Sequence, residues 1–268
     1  MKKQNLDFKI IKQNIDEFGI SHGVFLVNKP ANKTSHDIVN WVRSAFQYHK
    51  VGHAGALDPF ATGALLILVG NETKNSNFYT DLDKEYIGEF VVGIGTDTHD
   101  TEGNIIFECG DKFYSIEEVK KFFESIQPSY EQYVPVFSSK KINGINLRKI
   151  IRRAKEFILD ELEGEINIKL VFQDGKTKIV PLPKKTVQIK EVEILDNFSV
   201  DGNYLKEKFK NLKHPKFKTY QIVKVRLLVS KGTYIRSIAR DLGNFLNPKT
   251  GVSLLSLHRT KIGDWSIE

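Results

Sequence analysis

The chain has 268 residues, which is enough for one large domain or two ordinary ones with a sizeable core. Hydrophobic residues make up 40% and charged residues 27%, the balance of a soluble globular protein. The net charge of +7 favours a polyanionic partner, although it would also suit an acidic membrane surface or solubility alone.

The single cysteine, Cys109, excludes an intramolecular disulfide framework and a cysteine-rich zinc site. A buried structural thiol is its expected role. Residues 1–19 scatter charges and lack an unbroken apolar core, so they do not form a signal peptide, and no apolar stretch is long enough to cross a bilayer. We therefore expect a cytoplasmic protein.

The first elements are short. Residues 1–19 mix polar and apolar side chains and predict an extra helix or strand. Residues 23–28, GVFLVN, are typical of a strand. Ser35 is a candidate N-cap for a helix through Gln47. The apolar face of that helix comprises Ile38, Val39, Val42 and Phe46.

Residues 52–70, GHAGALDPFATGALLILVG, place small residues around one carboxylate, Asp58, with Pro59 directly behind it. The proline restrains Asp58 toward an extended conformation, and the apolar run of residues 64–69 must be buried as strand or helix. An isolated Asp-Pro pair is more often a tight turn with a solvated carboxylate. A carboxylate on a stiff loop against a buried element is, however, a suitable mount for a reactive acid.

The next segments predict a helix over residues 71–82 and a strand over 84–94. That strand contains Tyr86, which by itself would be a half-buried packing residue. A Ser-x-x-Glu capping box then opens an amphipathic helix over residues 115–126.

Two patterns in this region are rejected as ligand sites. Gly93 and Gly95 lack the third glycine and the following helix of a dinucleotide loop. The acidic residues within 97–102 lack the spacing of a calcium loop. We predict a solvated loop there.

Residues 140–155 are strongly basic, and on a helix such a run usually forms a solvated face. A helix-like stretch continues to Glu163, and a hairpin follows over residues 166–183 with its turn at Asp174-Gly175. The basic residues are Lys140, Lys141, Arg148, Lys149, Arg152, Arg153 and Lys155.

The last third of the chain begins with an enlarged loop over residues 201–218 that carries six lysines. Contact with nucleic acid and a solvated excursion are equally compatible with that composition. Residues 220–229 predict a strand, and residues 230–243 a capped helix that carries Arg236. A strand-rich core with peripheral helices predicts an α+β fold with a mixed, mainly antiparallel sheet.

The stretch of residues 52–70 resembles the central motif of the tRNA pseudouridine synthase B (TruB) family, G-H-x-G-x-L-D-P-x-A-x-G-x-L, at every constant position. Residues 231–236 match the family's K-G-T-Y-I-R in full, residues 83–86 match D-K-x-Y, and residues 29–35 match K-P-x-x-x-[ST]-S. The resemblance covers about residues 20–268. It implies the pseudouridine synthase fold in a single catalytic domain.

The chain departs from the family in an enlarged segment, about residues 131–185. It begins with a match to P-x-[YF]-S-x-x-K-x-[NQ]-G, and the resemblance implies an inserted arm that closes on RNA. In that context, the basic run is predicted to contact phosphate. The usual L-Y-x-x-A-R becomes LRKIIR over residues 147–152, without its tyrosine and alanine.

Residues 257–260, LHRT, resemble the family's L-R-R-T, with His258 in place of the first arginine. Ser253 stands where a histidine is usual. Many relatives append an RNA-binding PUA domain, and we expect none here because the sequence stops after the last expected strand of the catalytic domain.

The resemblance implies three catalytic residues. Asp58 is the catalytic carboxylate, acting as the nucleophile or, in a glycal route, removing a ribose proton. Arg236 keeps that carboxylate ionised against the desolvation of the site. Tyr86 stacks on the uracil and assists loss of the C5 proton.

The resemblance also implies the substrate-binding residues. His53 enters the RNA loop and fills the space of the flipped base, Tyr234 and Leu257 line the pocket, and Lys29 belongs to the motif beneath the catalytic loop. The expected partner is the T stem-loop of tRNA, with uridine 55 as the target. No cofactor, metal or obligatory protein partner is expected. We expect the protein to be a monomer.

Three alternatives remain open at this stage. The enlarged arm leaves room for another RNA substrate. A tRNA-folding chaperone whose catalysis is dispensable is a second alternative, although the intact Asp58, Tyr86 and Arg236 count against a loss of catalysis. A membrane-surface protein is the weakest, because the basic segments lack amphipathic aromatic partners.

Overall fold

Strands make up most of the regular structure. The computed structural model describes residues 6–17, 19–110, 112–138, 140–142, 144–162, 165–247 and 250–267. Within these ranges the strands are β1 (Phe8–Ile15), β2 (Ser21–Lys29), β3 (Val51–Ala54), β4 (Thr62–Val69), β5 (Lys84–Val92), β6 (Ile94–Thr96), β7 (Ile105–Glu108), β8 (Ser129–Tyr133), β9 (Lys141–Ile142), β10 (Ile145–Asn146), β11 (Glu156–Leu162), β12 (Glu165–Val171), β13 (Thr177–Pro181), β14 (Lys184–Asp201), β15 (Thr219–Val229), β16 (Val252–Ile262) and β17 (Trp265–Ser266).

The helices are fewer and lie between these strands. They are α1 (Ser35–Phe46), α2 (Ser76–Asp81), α3 (Ile116–Ile126), α4 (Leu147–Arg153), α5 (Gly202–Lys208) and α6 (Ile235–Leu246), with a 3₁₀ helix at Gly70–Asn75 before α2. In the part of the chain that the structure describes, no helix is long and apolar enough to cross a membrane.

One ten-stranded sheet forms the body of the molecule, in the order β1-β2-β4-β16-β5-β15-β14-β8, with β3 beside β4 and β17 beside β16. Its strand pairs are antiparallel except β4 and β16, which run parallel where Thr62 and Gly63 meet His258 and Arg259. The predicted α+β fold with a mixed, mainly antiparallel sheet is confirmed.

The two faces of the sheet are covered by different helices. On one face, Tyr86, Phe90 and Val92 of β5 pack with residues of α3 and α6 in the main hydrophobic core. On the opposite face, Val91 packs with residues of α5 and the segment after it. The alternation follows from the period of two along a strand, which sends successive side chains to opposite faces.

The predicted cap of α1 is wrong by one residue. The side chain of Thr34, not Ser35, accepts a hydrogen bond from the amide of Asp37, and the Asp37 carboxylate accepts one from the amide of Thr34. Ser35 is the first helical residue, and its hydroxyl exchanges hydrogen bonds with the backbone of Leu57. This hydroxyl ties α1 to the loop that carries the central carboxylate.

Other predicted elements are confirmed with shifted ends. The strand at 23–28, the helix at 115–126 and the strand at 220–229 are all present. The N-terminal segment forms a strand, β1, which pairs with β2. The helix predicted at 71–82 divides into the 3₁₀ turn and α2.

The enlarged arm has its own hydrophobic core, and the helix predicted through Glu163 is wrong. Only α4 is helical, and β11 pairs with β12 along its whole length before Glu163, which lies outside the described residues, as does Asn143 of the predicted arm motif. Sheet pairing overrides local helix propensity here because β11, β12 and β13 form a three-stranded sheet. Buried members of the arm core include Leu147, Ile151, Ile166, Ile168, Leu170 and Val180.

The basic segment 201–218 is anchored rather than a free loop. Asp201 caps α5 by accepting from the amide of Tyr204. Leu205, Phe209 and Leu212 are buried on the sheet face opposite Tyr86.

Candidate active site

Asp58 and Arg236 form an ion pair with two contacts. Asp58 lies in the loop between β3 and β4, residues 55–61, here called the Asp58 loop, and Arg236 lies in the first turn of α6. Arg236 donates from Nε to Oδ2 of Asp58 over 2.8 Å and from Nη2 to Oδ1 over 3.2 Å. The arginine side chain is 6% exposed and the aspartate side chain 38%. The carboxylate is therefore held from below and remains open to a ligand from above.

A second carboxylate, Asp100, lies 3.6 Å from Nε of Arg236. Nη1 of the same arginine donates to the carbonyl of Thr98 over 3.2 Å. Asp100 is buried, and this burial raises its pKa, opposed by the charge of Arg236 and by hydrogen bonds from Thr98 and Glu102. Burial opposes the charged form of Arg236, but the two carboxylates outweigh it and raise its pKa.

The prediction of a solvated acidic loop at residues 97–102 is therefore wrong. Asp100 is 5% exposed, because Thr98 and the surrounding segment pack against α6 and β16. The sequence signal available was the acidic cluster itself, and its contact with Arg236 depends on a distant helix. Cys109, predicted to be buried, is partly exposed.

Lys29 supports the Asp58 loop from beneath. Its fully buried ammonium donates to the carbonyls of Pro30, Lys33 and Pro59 at 2.9, 2.8 and 3.2 Å. Burial lowers the pKa of Lys29 to about 8, while the charge of Asp58 acts in the opposite direction. This lysine holds the backbone on which Asp58 is mounted and does not line the cleft.

Arg259 links the start of the Asp58 loop to β4, the strand that follows it. It is 1% exposed and donates to the carbonyl of Ala64 at 2.6 Å and to that of Gly55 at 3.1 Å. Its Nη1 lies 3.5 Å from the hydroxyl of Tyr86, which is its partner in the register of β5 and β16. This arginine belongs to the LHRT motif of residues 257–260, and the sequence alone predicts no role for it.

The remaining predicted residues meet above Asp58 in a cleft of about 400 Å³. Tyr86 and Leu257 are buried in its wall, and His53 and Tyr234 are half-buried beside them. Burial lowers the pKa of His53 and raises that of Tyr234, the latter against a hydrogen bond with Ser138. At neutral pH, both side chains are therefore uncharged.

The base of the arm contacts the start of α6. Gln132, fully buried on β8, accepts a hydrogen bond from the amide of Tyr234 at 2.7 Å. Ser237 donates to the carbonyl of Tyr133 at 2.7 Å. The arm and the helix that carries Arg236 are thus joined next to the cleft.

No three His, Cys, Asp or Glu side chains within the ranges described above group in a way that could hold a metal ion. The cleft instead combines an ion pair, two tyrosines and apolar walls. Such a site can bind a flat polar ring and present one carboxylate to it.

The architecture matches that of a solved pseudouridine synthase. Over 99% of this chain it is similar to a chain of the crystal structure of a Cbf5-Nop10-Gar1 complex, with a TM-score of 0.58, 17% sequence identity and coverage of 60% of that longer chain. The fold is therefore the pseudouridine synthase fold.

Sequence comparison gives the family. The model of the TruB family pseudouridylate synthases, N-terminal domain, matches residues 43–180. Two proteins named tRNA pseudouridine synthase B, from Acholeplasma laidlawii and Endomicrobium trichonymphae, are 37% and 33% identical over 245 and 246 residues. These matches cover 91% and 92% of this chain, and 71% and 87% of the relatives. The chain belongs to the TruB family and is a pseudouridine synthase, an isomerase.

Proposed function

We propose that the protein converts uridine 55 in the T loop of tRNA to pseudouridine, with Asp58 as the catalytic carboxylate. The observation that carries this proposal is the ion pair of Asp58 and Arg236, which leaves the carboxylate 38% exposed at the floor of the cleft. Membership of the TruB family and the names of its relatives support tRNA as the substrate.

The reaction breaks the glycosidic C1′–N1 bond, turns the uracil and forms a C1′–C5 bond. Asp58 acts at the ribose, either by attacking C1′ or by removing the proton from C2′. Each route needs an ionised carboxylate, and each returns the aspartate unchanged at the end. After the new bond has formed, C5 loses its proton and N1, freed from the ribose, takes one up, so atoms and charge balance.

Arg236 places a positive charge beside Asp58, where a bound base would cover the carboxylate. Burying a carboxylate under a flat ring favours its protonated form, while a neighbouring cation favours its charged form. Because the guanidinium is already buried and held by Thr98 and Asp100, it adds this field without rearranging during the reaction.

The cleft supplies the groups that receive a flipped base. Extrusion from the stack costs about a few kcal/mol. Tyr86 offers an aromatic face to the uracil, Leu257 a flat apolar wall, and Tyr234 closes the side. An uncharged His53 at the rim can enter the RNA loop and replace the missing base without a desolvation cost for charge.

The arm and its exposed basic residues supply the electrostatic part of RNA binding. Arg152 and Arg153 lie exposed on α4, and Lys149 lies on the same helix. We propose that residues 131–185 close on the T arm, that the catalytic domain spans residues 1–268, and that it acts as a cytoplasmic monomer without a protein partner.

Release of tritium from C5-labelled uridine tests this function. A tRNA transcript is compared with the same transcript carrying cytidine at the target position, using the natural protein and Asp58→Asn. We expect release only from the natural protein with uridine present, while Asp58→Asn binds the tRNA nearly as well. Turnover in Asp58→Asn would contradict the role of the carboxylate.

The same assay separates the alternatives. Release of tritium from the cytidine transcript would show that the protein is a pseudouridine synthase whose substrate is another uridine or another RNA. If the natural protein binds tRNA but releases no tritium, a role in tRNA folding would be indicated instead of catalysis. A circular dichroism spectrum identical to that of the natural protein is required before loss of activity in Asp58→Asn is interpreted.

A further inference from the structure

We infer that Arg148 binds a phosphodiester directly beside the flipped uridine. This inference rests on the proposed function and names a substrate contact that the ion pair, the tyrosines and His53 do not provide. Arg148 stands at the position where the family's L-Y-x-x-A-R motif has its tyrosine. The structure places it on the lining of the Asp58 cleft, together with Phe137 and Ser138 of the arm.

The start of α4 is held so that Arg148 faces the cleft. Leu147 is fully buried in the arm core, and Ile151, one turn later, is buried on the same side. The amide of Leu147 donates to the carbonyl of Lys140 at 2.7 Å, and that of Arg148 donates to Ser138 at 3.2 Å. Two buried side chains and two backbone bonds therefore set the direction in which this side chain leaves the helix.

The guanidinium of Arg148 is available to a ligand. Arg148 is exposed, and among the described residues no ion pair or side-chain hydrogen bond holds its guanidinium. Two arginines outside α4 are paired, by contrast: Arg226 contacts Glu193, and Arg240 lies 2.7 Å from Asp241. An arginine without a partner in a binding cleft is a donor awaiting an acceptor.

The other cations that line the cleft are already engaged. Arg236 is bound to Asp58, and Arg259 to backbone carbonyls. Lys84 is buried and donates to the carbonyls of Thr80 and Leu82. Arg148 is therefore the cleft-lining cation that can take a new anion without breaking a bond within the described part of the molecule.

Phosphate is the anion that fits. Uracil and ribose carry no charge, whereas each linkage on either side of the target nucleotide carries one. The planar fork of a guanidinium binds two phosphate oxygens at once, which a tyrosine cannot do. Replacement of the family's tyrosine by Arg148 thus exchanges a stacking surface for a charged contact at the entrance of the flipped base.

Site-specific neutralisation of phosphate tests the inference. T-arm RNAs carry a single uncharged methylphosphonate at one of the two linkages flanking the target, or at a remote linkage, with a 2′-O-methyl group on the nucleotide 5′ to it. Matched RNAs with the natural phosphate carry the same 2′-O-methyl group. Affinities are measured in the Asp58→Asn background, so that chemistry does not intervene, with and without Arg148→Ala.

We expect neutralisation of one flanking linkage to weaken RNA binding about tenfold when Arg148 is present, which is the scale of one charge-assisted hydrogen bond at an open site. In Arg148→Ala, the same neutralisation should weaken binding less than about twofold. Arg148→Lys should keep part of this coupling, and Arg148→Tyr should behave like Arg148→Ala. Lys149→Ala, the matched control on the same helix, should keep all of it.

Equal losses in every variant would overturn the inference. So would an Arg148→Tyr variant that binds as well as the parent, because stacking would then explain the contact. Tritium release by the natural protein on an unmodified transcript is recorded in parallel. Release without coupling removes only the Arg148 contact, whereas coupling without release leaves the contact in place and removes the proposed reaction.

Discussion

All three guanidinium nitrogens of Arg236 are used: two bind Asp58 at 2.8 and 3.2 Å, and the third donates to the carbonyl of Thr98 at 3.2 Å. A lysine has one nitrogen on a flexible stem and cannot reproduce this arrangement. The pair therefore depends on the shape of the arginine as well as on its charge.

We predict that Arg236→Lys lowers kcat about 100-fold, the scale of losing one preorganised donor, with a smaller change in tRNA affinity. Single-turnover formation of pseudouridine measures the effect. Arg226→Lys is the matched control, because that arginine pairs with Glu193 on the sheet face away from Tyr86 and should keep full activity. An Arg236→Lys enzyme with normal kcat would show that charge alone suffices.

The parallel contact of β4 and β16 makes Gly63 irreplaceable. Its φ is +106°, and a Cβ there would lie 2.3 Å from the carbonyl oxygen of Arg259. We predict that Gly63→Ala destabilises the protein by about 3 kcal/mol or more, because strain and a backbone clash add. Gly175→Ala, with φ +79° and open space, isolates the strain and should cost about 1–2 kcal/mol. Equal costs in urea unfolding would contradict the clash.

Lys29 gives a pH dependence with a defined sign. In the folded chain, burial lowers its pKa to about 8 from an ordinary value of 10.5. Between these values the unfolded chain holds more protons, so this lysine makes the free energy of unfolding rise with pH, by at most about 1.4 kcal/mol per pH unit. The stability of the natural protein relative to Lys29→Met should rise from about pH 8 to about pH 10.

Urea unfolding at several pH values measures that difference. The control is Lys50→Met, which removes an exposed lysine shortly after α1. This variant should show no such rise. A difference between the natural protein and Lys29→Met that falls over this range would mean that the three carbonyls around the ammonium outweigh its burial.

Salt dependence distinguishes the two basic segments. Arg152 and Arg153 are exposed on the arm, whereas Lys206 and Lys208 belong to α5, which packs on the sheet face opposite Tyr86. Replacing both arginines by alanine should reduce the slope of log affinity against log salt by about 0.7–0.9 per residue. Replacing both lysines should leave it unchanged. A reduced salt slope after replacement of Lys206 and Lys208 would mean that RNA contacts both faces of the sheet.

The elements around Asp58 could be predicted because their signals are local. The small residues and proline of 52–63 predict a stiff loop, and the apolar run after them becomes the buried strand β4. The helix at 115–126 begins at the predicted Ser115 cap because the capping box needs only four neighbouring residues. Local signals of this kind do not depend on the tertiary contacts that the rest of the chain makes.

Contacts that depend on register could not be predicted. Asp100 reaches Arg236 only because the 97–102 segment packs against α6, and a single sequence does not encode that distance. The departures at positions 253 and 258 likewise acquire meaning only in the fold. The hydroxyl of Ser253 accepts from the amide of Thr96, and His258 contacts the Thr62 hydroxyl at 2.7 Å. Both substitutes remain hydrogen-bonded.

The clamp formed by Arg259 has a consequence during synthesis of the protein. Its acceptors, Gly55 and Ala64, precede it by 204 and 195 residues. During synthesis, Asp58 therefore leaves the ribosome well before Arg259, the residue that holds its loop. Contacts of such long sequence separation form late. A nascent chain therefore lacks this clamp on the loop that carries Asp58 until the strand containing Arg259 has been inserted into the sheet.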